Sequence, residues 1–137
     1  MKVFLDANVL FSASAAGSAT RRLLEELLRH APAVTHHHAW EEAWRNLDHK
    51  RPAHLPGLLA LRSRLVFSDA FRVVEERELP DKDRPILGAA VGAGCTHLWT
   101  SDQRHFGRFY GKLLHGVLVV SSTMLADELS AKGWLKR

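Results

Sequence analysis

Short apolar runs that alternate with helical patterns are the feature of this sequence that most constrains its fold. The runs at residues 2–6, Ala33–Thr35, His97–Thr100 and Val117–Val120 are largely apolar from end to end. Strands buried on both faces of a parallel sheet have this composition. Because helical patterns separate the runs, the sequence predicts right-handed βαβ units and an α/β protein with a central, mainly parallel sheet.

Helices are predicted where leucines, tryptophans or small apolar residues recur at helical spacing. The first of these helices begins after Ser18, a good N-cap residue, and ends before Pro32. The others cover Trp40–Leu47 and Leu58–Leu65, begin at Asp83, and run from Thr123 to Gly133. One further segment, Phe71–Val74, is predicted to be an edge strand.

The composition predicts a single globular domain over residues 1–137. Hydrophobic residues make up 46% of the chain and charged residues 25%, which argues against extended disorder. Cys95 has no second cysteine with which to form a disulfide, and Asp6 interrupts the first apolar run too early for a secretory signal. We therefore expect a cytoplasmic protein.

The basic side chains are compatible with a polyanionic partner. The net charge is +4, and 13 of the 19 basic residues are arginines, whose planar guanidinium suits phosphate. A solvated basic surface explains the same balance about equally well. Charge alone therefore does not distinguish a nucleic-acid-binding protein from any other basic protein.

Acidic residues follow the predicted strands at the points where the strands end. Asp6 and Asp102 follow two of them, Glu41 and Glu42 begin the helix after Thr35, and Asp83 opens the helix that leads to the His97–Thr100 strand. The carboxyl ends of parallel strands meet at one edge of a sheet. Clustered carboxylates repel one another unless a cation lies among them, and oxygen ligands suit Mg²⁺ or Mn²⁺. Such a site predicts metal-assisted phosphodiester hydrolysis.

Four stretches of the sequence resemble, in order, the acidic signatures of PIN-domain nucleases. They are FLDANVLF, EEAWRNL, LPDKDRPILGAAVGAG and HLWTSDQRHF. The resemblance implies a three-layer α/β/α sandwich, a Mg²⁺ (or Mn²⁺) cofactor and RNA as the substrate. Small PIN proteins of this length resemble the VapC-like toxins of type II toxin–antitoxin systems, which implies a cognate antitoxin protein as partner and leaves a homodimer open.

The resemblance also assigns roles to individual residues. Asp6, Glu42, Asp83 and Asp102 match the metal-binding catalytic acids, although Glu41 lies beside Glu42 and either can be the site acid. Asn8, Thr100 and Ser101 match supporting polar positions. Independently of the resemblance, four residues that lie near these acids in the sequence are predicted to contact RNA: Arg84, Arg104, His105 and Arg108. A solvated charge explains each arginine equally well, and a surface loop position is the alternative for His105.

Other interpretations of the same residues remain open. Each acid alone is explained as a helix cap or a turn residue. The triplet His36–His38 lies one helical turn from Glu41 and Glu42, but no further histidine or cysteine at a tight spacing completes a zinc site. The alternative functions are a housekeeping RNA-processing nuclease without antitoxin, a phosphoacceptor receiver-like domain, and a catalytically inactive binding domain.

Overall fold

The structure is a computed structural model, and it describes residues 1–136. A six-stranded sheet has the strand order β3-β2-β1-β4-β6-β5. Its strands are β1 (Val3–Leu5), β2 (Ala33–Thr35), β3 (Val66–Phe67), β4 (His97–Trp99), β5 (Leu113–Leu114) and β6 (Val117–Val120). Every pair of neighbours is parallel except the hairpin of β5 and β6. The predicted mainly parallel sheet is confirmed.

Helices cover both faces of this sheet. They are α1 (Ala7–Ala13), α2 (Ala19–Leu28), α3 (His37–Lys50), α4 (Leu55–Leu59), α5 (Arg84–Gly92), α6 (Gln103–Phe106) and α7 (Ser122–Ala131). Short 3₁₀ turns lie at Pro52–His54, Arg62–Arg64 and Gly107–Phe109. Within residues 1–136, no helix is long and apolar enough to cross a membrane.

Alternation along the strands divides the core into two halves. Val3 and Leu5 point to the half formed with α1, α2, α3, α4 and α7. Phe4, between them, points to the half formed with α5, α6 and the segment before α5. Successive side chains of a strand face opposite sides of the sheet, so an uninterrupted apolar strand is required where both faces are covered. The predicted three-layer α/β/α sandwich is confirmed.

Several helices begin where the sequence places a capping residue. The Ser18 hydroxyl accepts a hydrogen bond from Arg21 N, as predicted. Helix α7 begins at Ser122 with Ser121 as its cap, so the predicted start at Thr123 is one residue late. Helix α3 has an unusual cap, His36, whose Nδ1 accepts from Ala39 N. Burial lowers the pKa of His36 and so favours the neutral imidazole that this acceptor role requires.

Two predicted elements between residues 58 and 74 are wrong. The helix predicted over Leu58–Leu65 ends at Leu59, although Leu61 and Leu65 are buried as the pattern requires. The edge strand is Val66–Phe67, which pairs with β2. The segment Phe71–Val74 forms no strand because it packs on α5, where Arg72 N donates to Gly88 O. Its backbone is held by a helix rather than by a neighbouring strand.

Candidate functional site

The candidate site lies where the order of the strands reverses. Strands β2 and β3 lie on one side of β1, and β4, β6 and β5 lie on the other, so the connection changes direction between β1 and β4. Ligands of open α/β sheets bind at such a point, outside the carboxyl ends of the strands. Asp6 directly follows β1, and Thr100, Ser101 and Asp102 directly follow β4.

Asp6 is buried and fully engaged in hydrogen bonds. Its Oδ1 accepts from Ala7 N at 2.7 Å, which caps α1. Its Oδ2 accepts from Thr100 Oγ1 at 2.8 Å and from Asn8 Nδ2 at 3.1 Å. Asn8 Oδ1 in turn accepts from Ser101 N and Ser101 Oγ, both at 2.9 Å. The polar residues that follow β1 and β4 therefore form one network that fixes the Asp6 carboxylate.

Asp83, Asp102 and His105 form a tight cluster beside this network. Asp102 caps α6 by accepting from His105 N, and its Oδ2 lies 2.9 Å from His105 Nδ1 in a hydrogen bond. Asp83 Oδ2 is 3.0 Å from the same nitrogen. One N–H can be aligned with only one of the two carboxylates, so among residues 1–136 Asp83 Oδ2 is buried without a hydrogen-bond partner.

A cavity of about 220 Å³ joins the two groups of residues. We call it the acidic pocket, and it is lined by Asp6, Asn8, His38, Glu42, Lys82, Asp83, Ile86, Asp102 and His105. Glu42 and His38 lie one turn apart on α3 and enter the pocket from the same helix face. The pocket therefore contains the four predicted acids.

The electrostatics of the acidic pocket favour a cation. Burial raises the pKa of Asp6 above its usual value, the hydrogen bonds from Thr100, Ala7 and Asn8 oppose this shift, and Glu42 adds to it. Burial also raises the pKa of Asp83; the charge of His105 lowers it, and that of Asp102 raises it. Both shifts mean that these carboxylates are costly to ionise in the protein alone.

The donor set fits a divalent metal ion. One atom each from Asp83, Asp102 and His105 lies within 4.8 Å of the other two, and these residues can together hold an ion. Carboxylate oxygens and an imidazole nitrogen are suitable ligands for such ions. Asp83 Oδ2, buried without a hydrogen-bond partner among residues 1–136, is an acceptor that a cation would satisfy. The protein as it stands therefore has ligands for a metal.

The predicted residues differ in where the structure places them. Glu42 lines the acidic pocket, whereas Glu41 lines a separate pocket on the next face of α3. Thr100 contacts Asp6 directly, and its Oγ1 also accepts from Asp102 N at 3.2 Å. Asn8 and Ser101 join the same network.

Of the four residues predicted to contact RNA, only His105 lines the acidic pocket. The Arg84 guanidinium is held by Asp81 and by Glu76 O. Arg104 is exposed on α6, and Arg108 lies 3.8 Å from Glu78. These three arginines do not line the pocket.

Lys82 also lines the acidic pocket, although it was not among the residues predicted for the site. The sequence feature that could have indicated Lys82 is its position directly before Asp83, a predicted residue of the same pocket. His38 lies in the acidic pocket on the same face of α3 as Glu42, in agreement with its spacing of four residues from Glu42 in the sequence.

Comparison with known proteins bears on the fold. No protein-family model and no curated protein sequence matches this chain. The chain is similar to a chain in the crystal structure of VapBC2 from Rickettsia felis bound to a DNA fragment from their promoter. The similarity covers 88% of this chain and 98% of that chain, with a TM-score of 0.63 and 15% sequence identity. A likeness at this identity concerns architecture. The protein therefore shares its three-layer α/β/α fold with a chain of VapBC2.

Proposed function

We propose that the protein is a metal-dependent endoribonuclease that acts as the toxin of a toxin–antitoxin pair. The observation that carries the proposal is the convergence of Asp83, Asp102 and His105 within 4.8 Å, in a pocket that also contains Asp6 and Glu42. Acidic residues whose only role is to cap helices are not expected to line one cavity together. Acids that follow β1 and β4, one acid of α3 and one directly before α5 line the same cavity here.

Asp83, Asp102, Asp6 and Glu42 are the proposed metal-binding catalytic acids, with His105 beside them. Mg²⁺ or Mn²⁺ bound there would supply a water of lowered pKa and neutralise charge on the scissile phosphate. The protein's own residues orient these acids. Thr100 and Asn8 hold Asp6, Ser101 holds Asn8, and the Asp102 cap fixes its carboxylate against α6.

Two observations support RNA and a protein partner. The chain has a net charge of +4, and the exposed Lys82 adds a cation to the lining of the acidic pocket, where it can contact phosphate. The similar VapBC2 structure supports a partner protein of the antitoxin class. A basic side chain from such a partner, inserted among the carboxylates, would take the place of the metal charge.

The nuclease proposal is tested with purified protein and labelled single-stranded RNA. We expect cleavage with Mg²⁺ or Mn²⁺ and none in excess EDTA. Glu42→Gln should lose activity at least about 100-fold, since it removes a charge from the metal site. Asp48→Asn is the matched control, because Asp48 is exposed elsewhere on α3. Equal cleavage with and without EDTA contradicts the metal mechanism, and wild-type activity of Glu42→Gln removes Glu42 from the site.

The toxin role is tested by expression in cells. Expression of the protein alone should slow growth, and coexpression with the protein encoded beside it should restore growth. Nuclease activity in vitro without any effect on growth would favour the housekeeping RNA-processing nuclease.

A further inference from the structure

A second pocket of about 370 Å³ lies next to the acidic pocket on α3. We call it the tryptophan pocket, and it is lined by His37, Trp40, Glu41, Trp44, Arg45 and Arg62. Its chemistry differs from that of the acidic pocket because aromatic rings and two guanidinium groups form most of the lining. The proposed metal chemistry uses none of these six residues.

The register of α3 relates the two pockets. His38 and Glu42 face the acidic pocket, and His37 and Glu41, each one residue earlier, face the tryptophan pocket. Adjacent residues of an α-helix are about 100° apart around its axis. The two pockets therefore lie on neighbouring faces of the N-terminal half of α3, and a strand crossing this helix end passes both.

Aromatic rings and a guanidinium are already packed together in the tryptophan pocket. The Trp40 and Phe67 rings meet edge to face at 5.4 Å, and His37 packs on Phe67 at 5.1 Å. Arg62 lies over both, 5.6 Å from the Trp40 ring and 5.4 Å from the Phe67 ring. These contacts form an aromatic floor, beside which Trp44 is only half-buried.

We propose that the tryptophan pocket is a nucleotide subsite, which holds a base of the same RNA strand whose phosphate lies at the acidic pocket. This inference rests on the proposed function. Proteins hold single-stranded RNA by stacking its bases on aromatic or arginine planes and by placing cations along its backbone. Trp44 supplies the half-exposed ring, and the exposed Arg45 and Arg62 supply the cations.

Glu41 determines which bases the subsite accepts. A carboxylate in the pocket repels a phosphate, so the base rather than the backbone faces Glu41. Carboxylates accept hydrogen bonds from exocyclic amines, which adenine, cytosine and guanine carry and uracil lacks. Uracil offers only its ring N3–H, which lies between two carbonyl oxygens that a carboxylate repels. The subsite therefore favours a base with an amine over uracil, and the adjacent glutamates have separate roles, Glu42 toward metal and Glu41 toward base.

Stacking is tested by the affinity for fluorescein-labelled oligoadenylate, measured by anisotropy in EDTA so that the RNA stays intact. Trp44→Ala should weaken binding about fivefold or more, whereas Trp44→Phe should keep most of the affinity because a ring remains. Trp134→Ala is the control, since Trp134 stacks on His30 outside the pocket. Thermal melting verifies that each variant is folded. Equal affinities of wild type and folded Trp44→Ala overturn the proposal.

The role of Glu41 is tested by comparing oligoadenylate with oligouridylate of the same length. The wild-type protein should bind oligoadenylate more tightly, and Glu41→Ala should reduce this ratio toward one. An unchanged ratio in Glu41→Ala removes Glu41 from base selection.

The same measurements separate this inference from the nuclease proposal. Binding that depends on Trp44, without metal-dependent cleavage, contradicts the nuclease and keeps the subsite. If the protein cleaves RNA in a metal-dependent way but Trp44→Ala binds RNA as tightly as wild type, the subsite is wrong and the nuclease proposal stands. If Trp44→Ala leaves RNA affinity unchanged but abolishes inhibition by the protein encoded beside it, the pocket is a protein-docking surface and the subsite is wrong.

Discussion

Asp6 combines the two roles that its position after β1 suggested, because it caps α1 and also lines the acidic pocket. Asp6→Asn separates them, since asparagine caps a helix about as well as aspartate. In the variant an amide NH₂ replaces Oδ2, so the hydrogen bond from Asn8 Nδ2 is lost and the one with Thr100 Oγ1 must reverse its direction, but a buried charge is also removed. We expect its metal-free stability to lie within about 1 kcal/mol of wild type.

Stabilisation by Mn²⁺ and cleavage of RNA should both be much weaker in Asp6→Asn than in wild type. A ligand that binds the native state stabilises it by RT ln(1 + [L]/Kd), so a weakened site gives a smaller Mn²⁺-induced rise in Tm. Cleavage of RNA should fall at least about 100-fold. Thermal melts with and without Mn²⁺, beside one cleavage assay, provide the measurement. An active variant with a full Mn²⁺ shift would leave Asp6 only the role of a cap.

Lys82 gives a second prediction at the scale of one residue. Its side chain lines the acidic pocket, and its charge opposes the rise in the pKa of Asp83. Lys82→Ala should weaken RNA binding about three- to tenfold through the loss of one phosphate contact. Its Tm should change little, because Lys82 is exposed. Anisotropy with Lys50→Ala, an exposed lysine at the end of α3, controls for net charge; equal losses in both variants would reduce Lys82 to a nonspecific contribution.

At the scale of elements, a pair of glycines on α5 holds the segment that leads to Asp83. A Cβ at Gly92 would lie 2.6 Å from Phe71 N and 2.7 Å from Phe71 Cα, and one at Gly88 would meet Arg72 O. This close approach lets an extended segment lie directly on a helix. The segment carries Leu79 into the core and delivers Lys82 and Asp83 to the acidic pocket.

Gly92→Ala should push this segment away from α5. The clash is with backbone atoms, which cannot turn aside as a side chain can, so we expect a loss of about 1–3 kcal/mol in the free energy of unfolding. Cleavage by a protease within residues 71–83 should become faster. Gly17→Ala is the control, because a Cβ there meets nothing within 4 Å. Wild-type stability and protease resistance of Gly92→Ala would contradict the role of the glycine contact.

Helix α2 is joined to the Arg62–Arg64 turn through Glu25. Glu25 Oε1 accepts from Arg64 Nη1 at 2.7 Å and from Arg21 Nε at 2.9 Å. These hydrogen bonds lower the pKa of Glu25 from 4.5 to about 2, with Arg64 the largest cause. Because the pKa is lower in the folded state, the stabilisation is complete above about pH 4.5, decreases below it and is lost near pH 2.

Glu25→Gln should therefore destabilise the protein at neutral pH, by about 1 kcal/mol or less because the pair is partly exposed. The difference from wild type should shrink as the pH falls from 4.5 to 2. Urea unfolding at several pH values measures it. A difference that is independent of pH would show that the ionised carboxylate contributes nothing.

Elements that are fixed by local residue types could be predicted from the sequence, whereas elements that are fixed by contacts with distant residues could not. The Ser18 cap and β1, β2, β4 and β6 follow from local residue types and buried periodicity. The error at Phe71–Val74 arises because contact with Gly88 and Gly92, which are distant in sequence, fixes that segment. Leu61 and Leu65 have a helical period, but the chain reaches the same burial through a 3₁₀ turn at Arg62–Arg64. The spacing of the leucines therefore predicted which side chains are buried, but it did not predict the backbone hydrogen bonding of this segment.

At the scale of the whole molecule, the strand order brings the acidic residues together. Asp6 and Asp102 are far apart in sequence, yet β1 and β4 are neighbours with Leu5 opposite Trp99. Asp6, Asp83 and Asp102 were predicted to converge because a parallel sheet aligns its carboxyl ends. The sequence left Glu41 and Glu42 as alternatives, and Glu42 is the one that lines the acidic pocket. The arginines were not predictable in the same way, since long exposed side chains follow local partners such as Asp81 and Glu78.

Because the protein has a net positive charge, its affinity for RNA should depend strongly on salt concentration. A protein that neutralises phosphates releases counterions, so the logarithm of affinity should fall linearly with the logarithm of salt concentration. Arg108 is free to take part because its contact with Glu78 is 3.8 Å long and both side chains are 63% exposed. Arg104 is exposed on the helix that Asp102 caps. Both arginines are therefore available to phosphates outside the pocket.

Arg104→Ala and Arg108→Ala should each weaken RNA binding and flatten the salt dependence. Each lost contact with a single-stranded phosphate should reduce the slope by about 0.7, and the two losses should add if the arginines bind different phosphates. Anisotropy titrations at four or more salt concentrations give the slopes. Arg29→Ala, which removes an exposed arginine directly after α2, has the same change in net charge and tests whether position matters. Slopes that fall equally in all three variants would mean that RNA responds to net charge alone, and slopes unchanged in Arg104→Ala and Arg108→Ala would exclude both residues from the phosphate path.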